Sequence, residues 1–159
     1  MLDSFYYLYI CVFKYRNAVI EMTKGFNISE AASIAIHSMV LIASADERLN
    51  SELIAEKLHS SKNHVAKVLQ ILVKNYFLSS VRGPGGGFVL GRPSESITLM
   101  AVYELFDGKY TDNTCGIESG VCPFETCIYG GLNDTINREF RNYFENKKIS
   151  DLVKQRSIV

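Results

Sequence analysis

Gly83-Pro84-Gly85-Gly86-Gly87 puts four glycines and a proline into five consecutive positions, and a stretch of that composition cannot be helix. The runs on either side, Phe77-Leu78-Ser79-Ser80-Val81 and Phe88-Val89-Leu90, are short and β-prone. The segment therefore reads as a β-hairpin whose tip is nearly all backbone. Such a tip can approach another surface closely, and Arg82 stands at its base, where a phosphate ridge or a narrow minor groove favours a guanidinium. Alone, the segment fits an ordinary glycine-rich hairpin equally well, and what precedes it decides.

Upstream, residues 28–45 read as a helix with Ser29 as its N-cap and Ile34, Ala35, Leu41 and Ile42 among its buried positions. Glu30, Ser33 and His37 stack along one face. Asp46-Glu47-Arg48-Leu49-Asn50 is a polar break before a short helix from Ser51 to about Leu58, and His59-Ser60-Ser61 turns the chain. Val65, Val68, Leu69 and Leu72 then fall at i, i+3, i+4 and i+7 of a helix from Lys62 to about Asn75. Its other face is polar. Ser61 is the expected N-cap, Lys62, Asn63 and His64 occupy the first turn, and Lys67, Gln70 and Lys74 continue the stripe. Two helices joined by a tight turn, followed by a hairpin, is the order of a winged helix, whose second helix enters the major groove while the wing reaches adjacent backbone or minor groove.

Charge supports that reading only locally. The whole chain carries 17 basic and 17 acidic residues, so no overall field announces a nucleic-acid partner. Between Lys57 and Arg92, however, stand Lys57, Lys62, Lys67, Lys74, Arg82, Arg92, His59 and His64, without a single Asp or Glu. A merely solvated helix face mixes both signs; an acid-free window is the footprint of a polyanion.

The second chemical feature is Cys115, Cys122 and Cys127, spaced C-x6-C-x4-C in a loop. Three thiolates on one loop can wrap a soft metal centre, and such ligands select iron–sulfur clusters, zinc or cuprous copper. Zinc is disfavoured by the missing C-x2-C knuckle. The bland alternative is three free thiols. No convincing export signal accompanies the cysteines, which argues for reduced thiols or metal ligands over disulfides. Phosphate loops, paired catalytic carboxylates and a nucleophile with an ordered base are all missing, which speaks against an enzyme.

The run Leu78-Ser79-Ser80-Val81-Arg82-Gly83-Pro84-Gly85-Gly86-Gly87-Phe88-Val89-Leu90-Gly91, placed after such a helix, closely resembles the wing of the IscR/NsrR-type (Rrf-two) family of winged-helix transcription regulators. The likeness covers most of residues 26–153. It implies a homodimer on double-stranded DNA in which Ser61, Lys62, Asn63, His64 and Lys67 lie over base edges and phosphates, while Arg82 and Gly85 belong to the wing. Ala66 stands where some relatives carry a glutamate that filters DNA targets. The resemblance also implies a [2Fe-2S] or [4Fe-4S] iron–sulfur cluster on Cys115, Cys122 and Cys127. Family loops commonly space these cysteines C-x5-C-x5-C, and some have a histidine after the third, where this chain has Gly130. His37 occupies a position at which one branch of the family uses a histidine ligand, in some relatives across the dimer interface.

The remaining segments complete the expected architecture. Residues 1–21 form an atypical aromatic extension, too short to span a bilayer. Thr98 caps a helix whose Leu99, Val102, Leu105 and Phe106 face inward, ended by Gly108. From Leu132 to about Lys147 runs an amphipathic helix with Leu132, Ile136, Phe140, Tyr143 and Phe144 on one stripe. That stripe expects either a second subunit or its own domain as cover. The expected fold is mainly α with a small β-hairpin wing: an extension (1–21), a winged helix-turn-helix domain (22–108), a cysteine loop (109–130), and a dimerisation helix with tail (131–159). The expected function is that of a cytoplasmic redox- or nitric-oxide-sensing repressor, not an enzyme, with neither membrane nor small-molecule substrate as partner. A cluster-free thiol-based regulator is the alternative.

Overall fold

The computed structural model describes residues 28–83, 85–112 and 123–154. Of these, residues 28–110 and 141–154 belong to one compact unit, and residues 111–112 and 123–140 to another.

The first unit is built on helix α1 (Glu30–Ala43). Ser29 caps it, its Oγ accepting from the Ala32 amide at 3.1 Å, while the Ser29 amide donates to Asp107 Oδ2 at 3.1 Å. The helix has one acidic residue in its first turn and a body of Ala, Ile, Met, Val and Leu. Ala32, Ala35 and Met39 are fully buried, with Ile34, Ser38 and Ile42 beside them. A helix apolar over most of its circumference belongs in the middle of a domain. Accordingly α1 packs against α3 (Lys62–Lys74), strand β2 (Gly87–Leu90), α4 (Leu99–Asp107) and α6 (Ile149–Lys154).

Helix α2 (Ser51–Lys57) begins at Asn50, whose Oδ1 accepts from the Leu53 amide at 2.9 Å, and buries Ile54 and Ala55. Helix α3 buries Val65, Val68, Leu69 and Leu72, the four positions its sequence spacing marks. Each such side chain contributes about 1.5–3 kcal/mol on leaving water. Strands β1 (Leu78–Val81) and β2 form an antiparallel hairpin with Leu78 opposite Leu90 and Val81 opposite Gly87. A single antiparallel bridge between Leu49 and Phe88 adds a third edge to that hairpin.

Thr98 caps α4 through Oγ1, which accepts from the Ala101 amide at 3.2 Å, and Gly108 ends the helix at φ +81°. Leu99, Met100 and Val102 are buried; Leu105 and Phe106, expected inside, are only half-buried. The chain comes back to this place near its end. Leu99 N–H donates to Lys147 O at 2.9 Å, and Ile149 N–H to Ile97 O at 3.0 Å, with Thr98 bridged to Lys148. The expected tail thus begins as helix α6, anchored by the fully buried Ile149. Tyr103 meets Tyr110 and Phe144 edge to face, with ring centroids 6.2 and 5.8 Å apart, and Arg141 lies 5.2 Å above the Tyr110 ring.

The unit boundary falls within helix α5 (Leu132–Asn146), between Phe140 and Arg141. The expected apolar stripe is divided: Phe140 and Phe144 are buried, whereas Leu132, Ile136 and Tyr143 stay exposed. In the second unit Phe124, Ile128 and Tyr129 are exposed as well. Among the described residues no helix is long and apolar enough to cross a membrane.

Candidate nucleic-acid interface and cysteine segment

The turn between α2 and α3 is tight because His59 takes a left-handed conformation, φ +49°, and the Ser60 amide reaches back to Ala55 O at 3.0 Å. Ser61 stands at the N-cap position, its carbonyl accepting from the Val65 amide at 3.0 Å. Its hydroxyl makes no capping bond, which differs from the expected side-chain cap. The Ser61 hydroxyl is therefore not engaged by its own helix.

Beyond it, Asn63 and Lys67 are exposed. Lys62 Nζ pairs with Glu52 Oε1 of α2 at 3.1 Å, both side chains 70% exposed. Such a pair contributes little to stability and is easily exchanged. His64 Nδ1 lies 3.7 Å from Glu30 Oε1. Glu30 thus faces the first turn of α3, although the sequence places it on one face of α1 with His37.

The wing is shaped by its glycines. Gly83 and Gly85 have φ of +103° and +74°, the left-handed side of the map where other residues are strained. Gly86 N–H donates to Gly83 O at 2.8 Å, and a Cβ on Gly86 would stand 2.5 Å from Val81 O. Arg82 and Gly85 are exposed at this tip, and Pro84 lies outside the described residues.

Arg92 has a different occupation. It donates through Nε to Tyr76 O at 3.1 Å and through Nη2 to Asn75 O at 2.9 Å, and stacks 4.1 Å above the Phe77 ring. A cation on the last carbonyls of a helix also meets the negative end of its dipole. Although it belongs to the acid-free window, Arg92 closes the C-terminus of α3. No sequence signal announces this, because its partners are backbone oxygens.

In the second unit Cys127 is exposed. The backbone amides of Gly131 first, then Tyr129, hold its thiol below its ordinary pKa; burial opposes them, and Gly130 and Asp134 add smaller effects of opposite sign, while the Gly130 amide donates to the Cys127 carbonyl at 3.0 Å. The left-handed backbone of Gly130 (φ +58°) and Gly131 (φ +77°) shapes the turn these amides lie on, the kind of amide concavity that receives an anion. Cys115 and Cys122 lie outside the described residues. Among the described residues there is no group of three or more His, Cys, Asp or Glu able to hold a metal. His37 is exposed on α1, with Nδ1 2.7 Å from Ser33 O. A carbonyl can only accept, so Nδ1 carries the proton and the lone pair sits on Nε2.

Comparison with known proteins places this geometry. The family model named Rrf2, described as an iron-dependent transcriptional regulator, matches residues 28–155. The chain belongs to the Rrf2 family. Rrf2 members are transcription regulators and not enzymes, as the relatives' names agree. The HTH-type transcriptional regulator IscR of Klebsiella pneumoniae strain 342 is 28% identical over 124 residues, covering 74% of this chain and 76% of that protein. BadM of Rhodopseudomonas palustris, also named as an HTH-type transcriptional regulator, is 40% identical over 72 residues. That match covers 45% of this chain, and the chain spans just under half (46%) of BadM's length. Among solved structures, CymR, the global cysteine regulator of B. subtilis, superposes with a TM-score of 0.66 at 19% identity, covering 83% of this chain and 99% of CymR. That last likeness is one of fold: the mainly α winged helix with a two-stranded wing is the fold of its Rrf2 neighbours.

Proposed function

We propose that this Rrf2 protein is a homodimeric repressor whose affinity for an operator is controlled by an iron–sulfur cluster on Cys115, Cys122 and Cys127, with His37 as a further ligand. On the DNA side, Ser61, Asn63 and Lys67 face base edges and phosphates from α3, Lys62 exchanges Glu52 for a phosphate, and His64 joins them. Arg82 and Gly85 bring the wing to the backbone. Two subunits set their half-sites about one helical turn apart, ~34 Å. The exposed side of the α5 stripe, Leu132, Ile136 and Tyr143, supports a second copy as cover.

The amides converging on Cys127 carry the cofactor part. Amide hydrogen bonds to sulfur stabilise a thiolate, the form in which cysteine ligates iron, and such bonds tune cluster potential. His37 suits the role of a further ligand, since its Nδ1–H bond to Ser33 O leaves Nε2 free to ligate. When bound, the cluster supplies a centre that oxidants and nitric oxide dismantle. Linkage does the rest: if the cysteine segment holds its group more tightly in one arrangement of the two α3 helices, loss of the group shifts DNA affinity by that difference.

The test is protein purified without oxygen. Broad visible absorption with iron and sulfide in equal amounts, lost in Cys122→Ala together with the signal response, is the expected result. A second reading, direct thiol sensing without a cluster, is favoured by the same exposed, acidified Cys127. A colourless protein after reconstitution, with all its cysteines titrating as free thiols, would establish that reading instead.

A further inference from the structure

We propose that Arg48 is a DNA-phosphate contact of the wing, gripping the backbone from the edge opposite Arg82. In sequence Arg48 belongs to the polar break between two helices and follows Asp46 and Glu47. The fold moves it to the wing. Phe88 N–H donates to Leu49 O at 2.9 Å, making residues 48–49 a short third edge on β2. A Cβ on Gly87 would stand 3.2 Å from the Arg48 Cβ and 2.7 Å from Leu49 O. The Arg48 side chain therefore starts against the bare α-carbon of Gly87, at the end of β2 that meets the tip. Gly87 is paired with Val81, the residue before Arg82.

Two arginines thus flank the same rung of the hairpin from its two edges. Strands lie ~4.8 Å apart, so the two chains that bear them are separated by about 10 Å. Each DNA strand presents a phosphate about every 3.4 Å of helix axis, so one duplex can serve both guanidinium forks. Arg48 is exposed, and among the described residues nothing pairs with it, Asp46 and Glu47 included. Arg92, inside the acid-free window, closes a helix, while Arg48, outside it, lies free beside the tip.

This inference rests on the DNA-binding reading, and salt dependence separates the two. The probe is a duplex enriched on the wild-type protein from a randomised pool, with a scrambled duplex as control. Arg48→Ala is expected to make the slope of log affinity against log salt shallower by about 0.9, one phosphate's worth, while Arg48→Lys keeps the wild-type slope. Far-UV circular dichroism verifies that the variants are folded. An Arg48→Ala slope equal to wild type overturns the Arg48 assignment and leaves DNA binding standing. Wild-type protein that shows no salt-dependent binding to either duplex overturns both.

Discussion

The guanidinium of Arg92 lies 4.1 Å above the ring of Phe77, and its two donors reach the carbonyls of Asn75 and Tyr76. The residue leaving the wing thereby holds the end of α3. Arg92→Ala should lower stability by about 1–2 kcal/mol, the range for hydrogen bonds to a charged donor with an exposed ring contact. Arg92→Lys should recover only part of it, because an ammonium lacks the planar fork. Urea unfolding checks both, and an unchanged salt slope for DNA binding separates Arg92 from Arg82 and Arg48.

Gly86 and Gly85 are neighbours with opposite reasons to be glycine. A Cβ on Gly86 meets Val81 O at 2.5 Å, whereas one on Gly85 meets nothing within 4 Å and suffers only from φ +74°. Gly86→Ala should distort the tip and weaken DNA binding at least tenfold. Gly85→Ala should cost about 1 kcal/mol of local strain and leave most of the affinity. Equal losses in a titration by fluorescence anisotropy would contradict this.

Cys127 gives a pH signature. Its lowered pKa means the thiolate persists to lower pH than in an ordinary cysteine, so alkylation stays fast as pH falls through the usual thiol range and declines only beneath it. In apo-protein with Cys11, Cys115 and Cys122 changed to Ser, the rate of iodoacetamide labelling should inflect at lower pH than for an ordinary cysteine thiol. An inflection at or above that of an ordinary thiol would count against the amide concavity described for its sulfur.

Ser38 is fully buried in α1, and among the described residues its hydroxyl has no hydrogen-bond partner. A buried polar atom left unsatisfied costs about 1–3 kcal/mol. Ser38→Ala removes that atom with little loss of volume and should raise stability by about 1 kcal/mol. Thermal unfolding measures it, and a destabilised variant would show that the hydroxyl has a role in packing.

Local patterns were legible and remote partners were not. The hairpin, the Ser29 and Thr98 caps and the buried face of α3 could be read because each depends on residues close together in the chain. Asn50, the cap of α2, lies in the polar break ahead of the expected helix start at Ser51. Ser61 was expected to cap α3, but N-cap geometry does not oblige the hydroxyl to turn inward. The roles of Arg92 and the Leu49 edge depend on contacts 16 residues or more away in the chain, through backbone atoms every residue possesses. Lys62 was readable as a surface cation, though not as a partner of Glu52. For the cysteine segment, spacing alone pointed to a soft metal, while the amides around Cys127 depend on two left-handed glycines.

The meeting of Arg141 with the Tyr110 ring has a further consequence. It pins together residues 110 and 141, the two points where the chain leaves and re-enters the wing-bearing unit, so that unit closes on itself there. A connector long enough to join Tyr110 to Arg141 would leave the unit's own closure, the Leu99–Lys147 and Ile97–Ile149 hydrogen bonds, in place. On the proposed function, the cysteine segment is in that sense exchangeable, and the same wing and α3 could be put under the command of a different signal by replacing one continuous stretch of chain.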